Sequence, residues 1–258
     1  MAFSLVWLPE VLRGTGLKVA ETDGWANRGR REMGTVRGVM CHHTGSSGSG
    51  NMPTLATLKS GRSDLPGPLA QLGLGRDGTY YIVAAGLANH AGRGKWANVE
   101  NGNTNFLGIE AENKGAASDI WPDVQMDAYR RGVAAILKHV GASADFCCGH
   151  KEYALPKGRK PDPLFDMDTF RTAVRDIMRG VGAIRPLIPA LDPVSQKPTL
   201  KRGARGADVK ILQTKVGVLS DGIFGPGTEA ALRVFQRSVG LVDDGIAGPK
   251  TWAKILVQ

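Results

Sequence analysis

Residues 180–200 carry Pro186, Pro189, Pro193 and Pro198, with little charge and no apolar periodicity. Each proline fixes its own φ and lacks an N–H donor, so neither a helix nor an inner strand runs through such an interval. It reads as a semi-rigid linker. A chain of 258 residues has room for one large domain or two smaller ones. The interval argues for two, an N-terminal body over 1–180 and a C-terminal body over 200–258, joined by residues 181–199.

The C-terminal body repeats itself. Asp221-Gly222-Ile223-Phe224-Gly225-Pro226-Gly227-Thr228 returns as Asp244-Gly245-Ile246-Ala247-Gly248-Pro249-Lys250-Thr251, a period of 23. Each copy reads as a turn with its Thr at the N-cap of a following helix, over 229–236 and 252–256. With a helix near 208–216, this makes a small three-helix module. It holds no His, no Cys and no tight acid pair, which favours binding over chemistry.

The N-terminal body mixes strands with helices. Apolar spacing gives a short helix at 5–12, a brief strand at 16–19, a loop at 24–31, a strand at 36–42 and a helix at 53–60. Segments 69–74 and 79–84 flank Asp77-Gly78, a hairpin turn signal. In 106–112, Leu107, Ile109 and Ala111 point one way and Glu110 and Glu112 the other. Helices at 123–140 and 169–179 enclose a strand at 145–149. The expected fold class is α/β, a mixed central sheet flanked by helices.

Apolar content of 42% and charged content of 22% fit an ordinary globular protein. No apolar run approaches the roughly 20 residues of a membrane span. The first ten residues lack a basic n-region, and Pro9 and Glu10 interrupt their apolar run, so no signal peptide is expected. Cys41, Cys147 and Cys148 are odd in number and two are adjacent, which argues against a disulfide framework. Synthesis in a reducing cytoplasm follows. The net charge of +9 points to an anionic partner. Arg28, Arg30, Arg31 and Arg37 lack interleaved aromatics, so nucleic acid is not expected; a solvated or wall-facing surface is.

The chemistry concentrates in 148–163, a run too rich in Gly and Pro for a helix. It contains His150, Lys160 and Asp162. Lys160 and Asp162, two apart in an extended stretch, share one side. Either they pair with each other, or His150 and Asp162 bind a cation while Lys160 offsets negative charge on a substrate. A catalytic zinc site needs a third ligand and an open position. His42, at the end of the 36–42 strand, is the candidate, and two His with a carboxylate is an established set. The cysteines flank both His residues as thiolate ligands or, more in keeping with strand alternation, as buried thiols. His43 faces away from the metal by the same alternation. His90, in a loop after the hairpin, is either a substrate contact at the rim or an exposed loop residue. His139 is expected on the surface.

Met40-Cys41-His42-His43-Thr44, Gly108-Ile109-Glu110 and Gly149-His150 with Arg159-Lys160-Pro161-Asp162-Pro163 together resemble the zinc-dependent N-acetylmuramoyl-L-alanine amidases of the type 2, peptidoglycan-recognition-like family. The repeat module, with Leu212-Gln213, resembles the peptidoglycan-binding domain 1 family. The order of the two is similar to phage endolysins. The resemblance covers roughly 15–175 and 200–256. It implies Zn²⁺ held by His42, His150 and Asp162, Glu110 activating water, and Lys160 stabilising the tetrahedral intermediate. Some members carry a Tyr where this chain has Ala70-Gln71, which leaves the water to Glu110. The implied activity is hydrolysis of the muramic acid–L-alanine amide of bacterial peptidoglycan, by a monomer made in a host cytoplasm and acting on the wall after release. The alternative is a peptidoglycan-recognition protein that holds a muropeptide without cutting it.

Overall fold

The computed structural model describes residues 2–181 and 197–256. The linker expected at 181–199 therefore lies mostly, over 182–196, outside the described residues. The chain divides into two compact units, Met1–Leu187 and Ile188–Gln258.

In the first unit a 3₁₀ turn, Ser4–Trp7, leads into α1 (Leu8–Arg13), and β1 follows at Val19–Glu21. The strand begins later than expected because Gly16, at φ +74°, turns the chain first. Then come β2 (Gly38–His43), α2 (Leu55–Ser60), the two-residue strands β3 (Gly61–Arg62) and β4 (Leu65–Pro66), β5 (Leu72–Leu74) and β6 (Tyr80–Ile82). The unit closes with α3 (Gly102–Asn105), β7 (Phe106–Ala111), α4 (Asp123–His139), β8 (Cys147–Gly149), α5 (His150–Tyr153) and α6 (Met167–Arg179).

Six strands form one sheet in the order β1-β6-β5-β7-β2-β8. Only the hairpin pair β5–β6 is antiparallel. Its turn is the expected Asp-Gly, with Gly78 at φ +79° and the Asp77 carboxylate accepting from Thr79 N–H at 2.9 Å. The ladder is shorter than the sequence suggested. Val83 and Ala84 N–H both reach Gln71 O, at 2.9 and 3.2 Å, and this bulge ends the pairing.

The sheet's two faces do different work. Val39, Cys41, Leu107, Ile109, Ala111 and Cys147 face α1, α4 and α6 and build the main core with Tyr129, Val133, Ile136, Leu137, Phe170 and Val174. Each Val, Leu, Ile or Phe among them contributes about 1.5–3 kcal/mol when fully buried. Met40, Phe106 and Cys148 face the other way, into a small cluster with Ala91, Val99 and Tyr153. That cluster floors the region where β2, β7 and β8 end. α4 packs closely because residue 132 is Gly; a Cβ there would lie 2.2 Å from the Tyr80 hydroxyl. α6 is capped by Asp166, which accepts from Thr169 N–H at 2.7 Å, and stops at Gly180 with φ +70°.

In the second unit α7 (Ala207–Lys215), α8 (Pro226–Ser238) and α9 (Pro249–Leu256) surround Leu200, Val209, Leu212, Phe224, Leu232, Trp252 and Ile255. The expected N-caps Thr228 and Thr251 lie inside the first turn. Pro226 and Pro249 start both helices, since proline's fixed φ and missing N–H suit the first helical position.

Candidate active site

Register builds the site. Along β7, β2 and β8 the parallel ladders align Ile109, Cys41 and Gly149, and then Glu110 beside His42. His150 is the next residue after Gly149. Three side chains from segments far apart in sequence therefore stand in one row at the carboxyl ends of three neighbouring parallel strands, the usual place for ligands in such sheets. The run after Gly149 is not loop throughout, as the sequence suggested. α5 forms one turn because Glu152 accepts from Gly149 N–H at 2.8 Å, and Arg171 clamps Glu152 with two bonds of 2.8 Å.

Asp162 is delivered by the 154–163 loop, whose Asp162 carbonyl accepts from Lys151 N–H at 2.6 Å. Its Oδ2 lies 3.1 Å from His42 Nδ1 and 3.2 Å from His150 Nδ1, and the two Nδ1 atoms are 3.1 Å apart. All three residues are buried. The far nitrogens of both rings are engaged. His150 Nε2 donates to Ala91 O at 2.9 Å. His90 Nε2 donates to Phe106 O at 3.1 Å, so His90 Nδ1 is an acceptor and receives the Nε2–H of His42, also at 3.1 Å. Both neutral rings therefore turn bare Nδ1 lone pairs toward each other and toward a carboxylate. Such a triangle is repulsive without a cation at its centre. Its edges match the roughly 3.3 Å separation of donors about 2.0 Å from a tetrahedral ion. His42, His150 and Asp162 fit a metal ion.

The electrostatics agree. Burial, aided by the neighbouring His150, lowers the His42 pKa to about 4, which keeps the ring neutral. Glu110 is the opposite case. Its side chain is only 16% exposed, and burial, then the Asp162 charge, push its pKa well up, while the Lys160 charge works against the rise. Glu110 Oε1 lies 3.7 Å from His42 Nδ1, and Oε2 has no partner among the described residues. Lys160 is half-buried and makes no ion pair with Asp162 among the described residues, so the simple pairing is not the arrangement found.

His90 is not at a rim. It is 8% exposed and sits behind His42. Its ring packs on Gly108, where a Cβ would lie 2.7 Å from His90 Cγ. The sequence signal available for this was the glycine inside β7, which marks a close approach. Other supports were not foreseen. The Tyr129 hydroxyl accepts from His42 N–H at 2.9 Å, and Gln71 Oε1 accepts from Gly108 N–H at 2.8 Å. Glu112 accepts from Thr44 and Thr54 hydroxyls at 2.9 and 2.5 Å and pins the 44–54 loop. His43 lies outside the cluster, its ring against Gly115. The three cysteines are buried and free. Cys41 and Cys147 sulfurs sit 3.7 Å apart in the main core; that contact and burial push the Cys147 thiol up, and burial does the same to Cys148. Beyond Asp162, Leu164 and Phe165 join Ile120 and Trp121 in lining a groove of about 380 Å³.

Residues 32–164, just over half of the chain, match the family described as N-acetylmuramoyl-L-alanine amidase, and residues 205–255 match a putative peptidoglycan binding domain. No curated protein matches the chain. Among solved structures, a Burkholderia AP3 phage endolysin is 48% identical over 22% of this chain and 24% of its own, with a TM-score of 0.22. A mutant endolysin from Bacillus subtilis is 17% identical over 61% of this chain and 99% of its own, with a TM-score of 0.45. AmiD from E. coli, in complex with its substrate anhydro-N-acetylmuramic acid-L-Ala-D-gamma-Glu-L-Lys, is 18% identical over 92% and 95%, with a TM-score of 0.45. No helix among the described residues is long and apolar enough to cross a membrane. On the match that spans the His42–Glu110 row and reaches past Asp162, the chain belongs to the N-acetylmuramoyl-L-alanine amidase family and carries a second, peptidoglycan-binding domain after it.

Proposed function

We propose that this chain is a zinc-dependent endolysin that cleaves the amide between N-acetylmuramic acid and L-alanine in bacterial peptidoglycan. The observation that carries the reading is the buried triangle of two bare imidazole nitrogens and one carboxylate oxygen, with Glu110 beside it. His42, His150 and Asp162 would hold Zn²⁺, which supplies Lewis acidity toward the amide carbonyl and makes water more acidic. His90 and Ala91 O fix the two rings so that both Nδ1 atoms stay unprotonated. Glu110, with its unpartnered oxygen and raised pKa, accepts the proton of the attacking water and passes it to the leaving amine. Lys160 places positive charge where the oxyanion develops. The groove beside Leu164 and Trp121 would take the peptide stem, its apolar lining supporting that reading.

The same reading has the protein made as a monomer in a bacteriophage-infected host cytoplasm and acting on the wall after release, the C-terminal unit holding it there. Digestion of purified walls, with products read by mass spectrometry, tests it. Free L-alanine amino termini that disappear on chelation and return with Zn²⁺ are the expected result. Wall binding without any new amino termini would leave a recognition protein, and unchanged cleavage after chelation would remove the metal.

A further inference from the structure

The C-terminal unit repeats itself down to single hydrogen bonds. Gln213 Nε2 lies 2.7, 3.0 and 3.0 Å from Asp221 Oδ1, Ile223 O and Thr228 Oγ1, and its Oε1 accepts from Gly222 N–H at 2.8 Å. Gln236 makes the same set 23 residues on, at 2.9, 3.0 and 3.2 Å to Asp244, Ile246 and Thr251, and 2.9 Å from Gly245. Both glutamines are buried. Each network fixes a turn, and beside each turn a helix end and the next helix start enclose a cleft. The first, of about 180 Å³, is lined by Val218, Leu219, Ile223 and Gly227. The second, of about 520 Å³, is lined by their counterparts Leu241, Val242, Ile246 and Lys250.

Both clefts show bare aliphatic surface. Leu219 is 81% exposed and Val242 80%; Ile223 and Ile246 are 42% and 37% exposed. Single exposed apolar side chains are ordinary. These recur in register. Several other positions differ between the copies, with Thr214 against Arg237, Lys215 against Ser238, Ser220 against Asp243 and the core residue Phe224 against Ala247, while the exposed pair Ile211 and Val234 also stays aliphatic. A duplicated fold requires its core, not its solvent-facing aliphatics. A ligand shared by the two clefts accounts for aliphatic residues standing at the same cleft positions in both copies.

We propose that the module binds peptidoglycan at two equivalent clefts, one repeating unit of the same polymer in each. The inference rests on the wall-binding assignment and goes beyond it. The acetamido and alanine methyl groups of a repeating unit would seat on the Leu219–Ile223 and Val242–Ile246 pairs. Lys250, which replaces Gly227, adds a cation for a stem-peptide carboxylate in the second cleft. Two clefts on one polymer bind far more tightly than either alone, because the second engagement is intramolecular.

The test uses the full chain, treated with chelator so that walls stay intact. Binding to purified sacculi is measured by co-sedimentation. Binding of a soluble monomeric disaccharide-tetrapeptide is followed by NMR on the methyl groups of Leu219, Ile223, Val242 and Ile246. Methyl signals from both clefts should shift. Leu219→Ser and Val242→Ser should each weaken sacculus binding by roughly tenfold or more, while each removes shifts only in its own cleft. Both positions are solvent-facing, and unchanged unfolding midpoints would confirm intact variants. Shifts confined to one cleft, or sacculus binding within twofold of the parent in either variant, would overturn the two-cleft inference. A parent chain that binds no sacculi would overturn the wall-binding assignment itself, a separate result.

Discussion

Replacing His90 with Leu removes the acceptor of the His42 Nε2–H bond, 3.1 Å long in a buried setting. A buried donor left without a partner costs about 1–3 kcal/mol. His42 can escape that cost by moving its proton to Nδ1, the atom that faces His150 and Asp162. Metal binding must then reverse the shift. Loss of such an outer partner typically lowers metal affinity 10–100-fold, or about 1.4–2.7 kcal/mol. Gln at the same position can accept from His42 and donate to Phe106 O, so His90→Gln should stay within about threefold of the parent. Zn²⁺ affinity is read by competition with a chromogenic chelator. In the metal-free protein, ¹⁵N-edited NMR reads which His42 nitrogen carries the proton. Gly108→Ala, whose Cβ would press on the His90 ring at 2.7 Å, should act in the same direction as Leu. If His90→Leu keeps both the affinity and the Nε2–H form, His90 is mere filling and the reasoning fails.

Two further expectations concern Glu110 and Asp119. Glu110→Gln should keep Zn²⁺ affinity within a few-fold and lower turnover by roughly 10²–10⁴; variant activity near the parent's would take the proton transfer away from Glu110. The second concerns acid stability. Asp119 accepts from Arg76 at 3.0 and 2.9 Å, and that contact holds its carboxyl below the usual range. A lowered folded-state pKa gives stability that is present above the unfolded value of about 3.9 and is lost as pH falls through the folded one. Asp119→Asn should therefore cost about 1–2 kcal/mol in urea unfolding at pH 7 and progressively less as the pH falls below the usual carboxylate range; a gap that does not shrink with acid would refute the charge argument.

His150 and Asp162 stood out in the sequence because an imidazole and a carboxylate in a Gly- and Pro-rich run carry chemistry that few other residue types supply, and His42 followed as the third ligand at a strand end. The alternation in 106–111 told which face Glu110 takes. It could not tell which residue on β2 would stand beside it, since a period of two sets faces and leaves register open. The role of His90 was out of reach for a different reason: it depends on an empty space at Gly108, created by a strand 18 residues away. The C-terminal helices were legible as a repeat, yet their starts were misplaced because a Thr looks like a cap until the proline two residues earlier claims the first turn.

The row of His42, Glu110 and His150 has a consequence for how activity arises. His42 and Glu110 sit on neighbouring strands and His150 opens the turn that follows a third, with long excursions of chain between them, so no short fragment contains the constellation. Long loops must close before any of the reacting groups meet. Catalytic competence is thus a late and all-or-none event in folding, and a single cut anywhere between strands, if it lets the sheet part, silences the enzyme completely rather than by degrees.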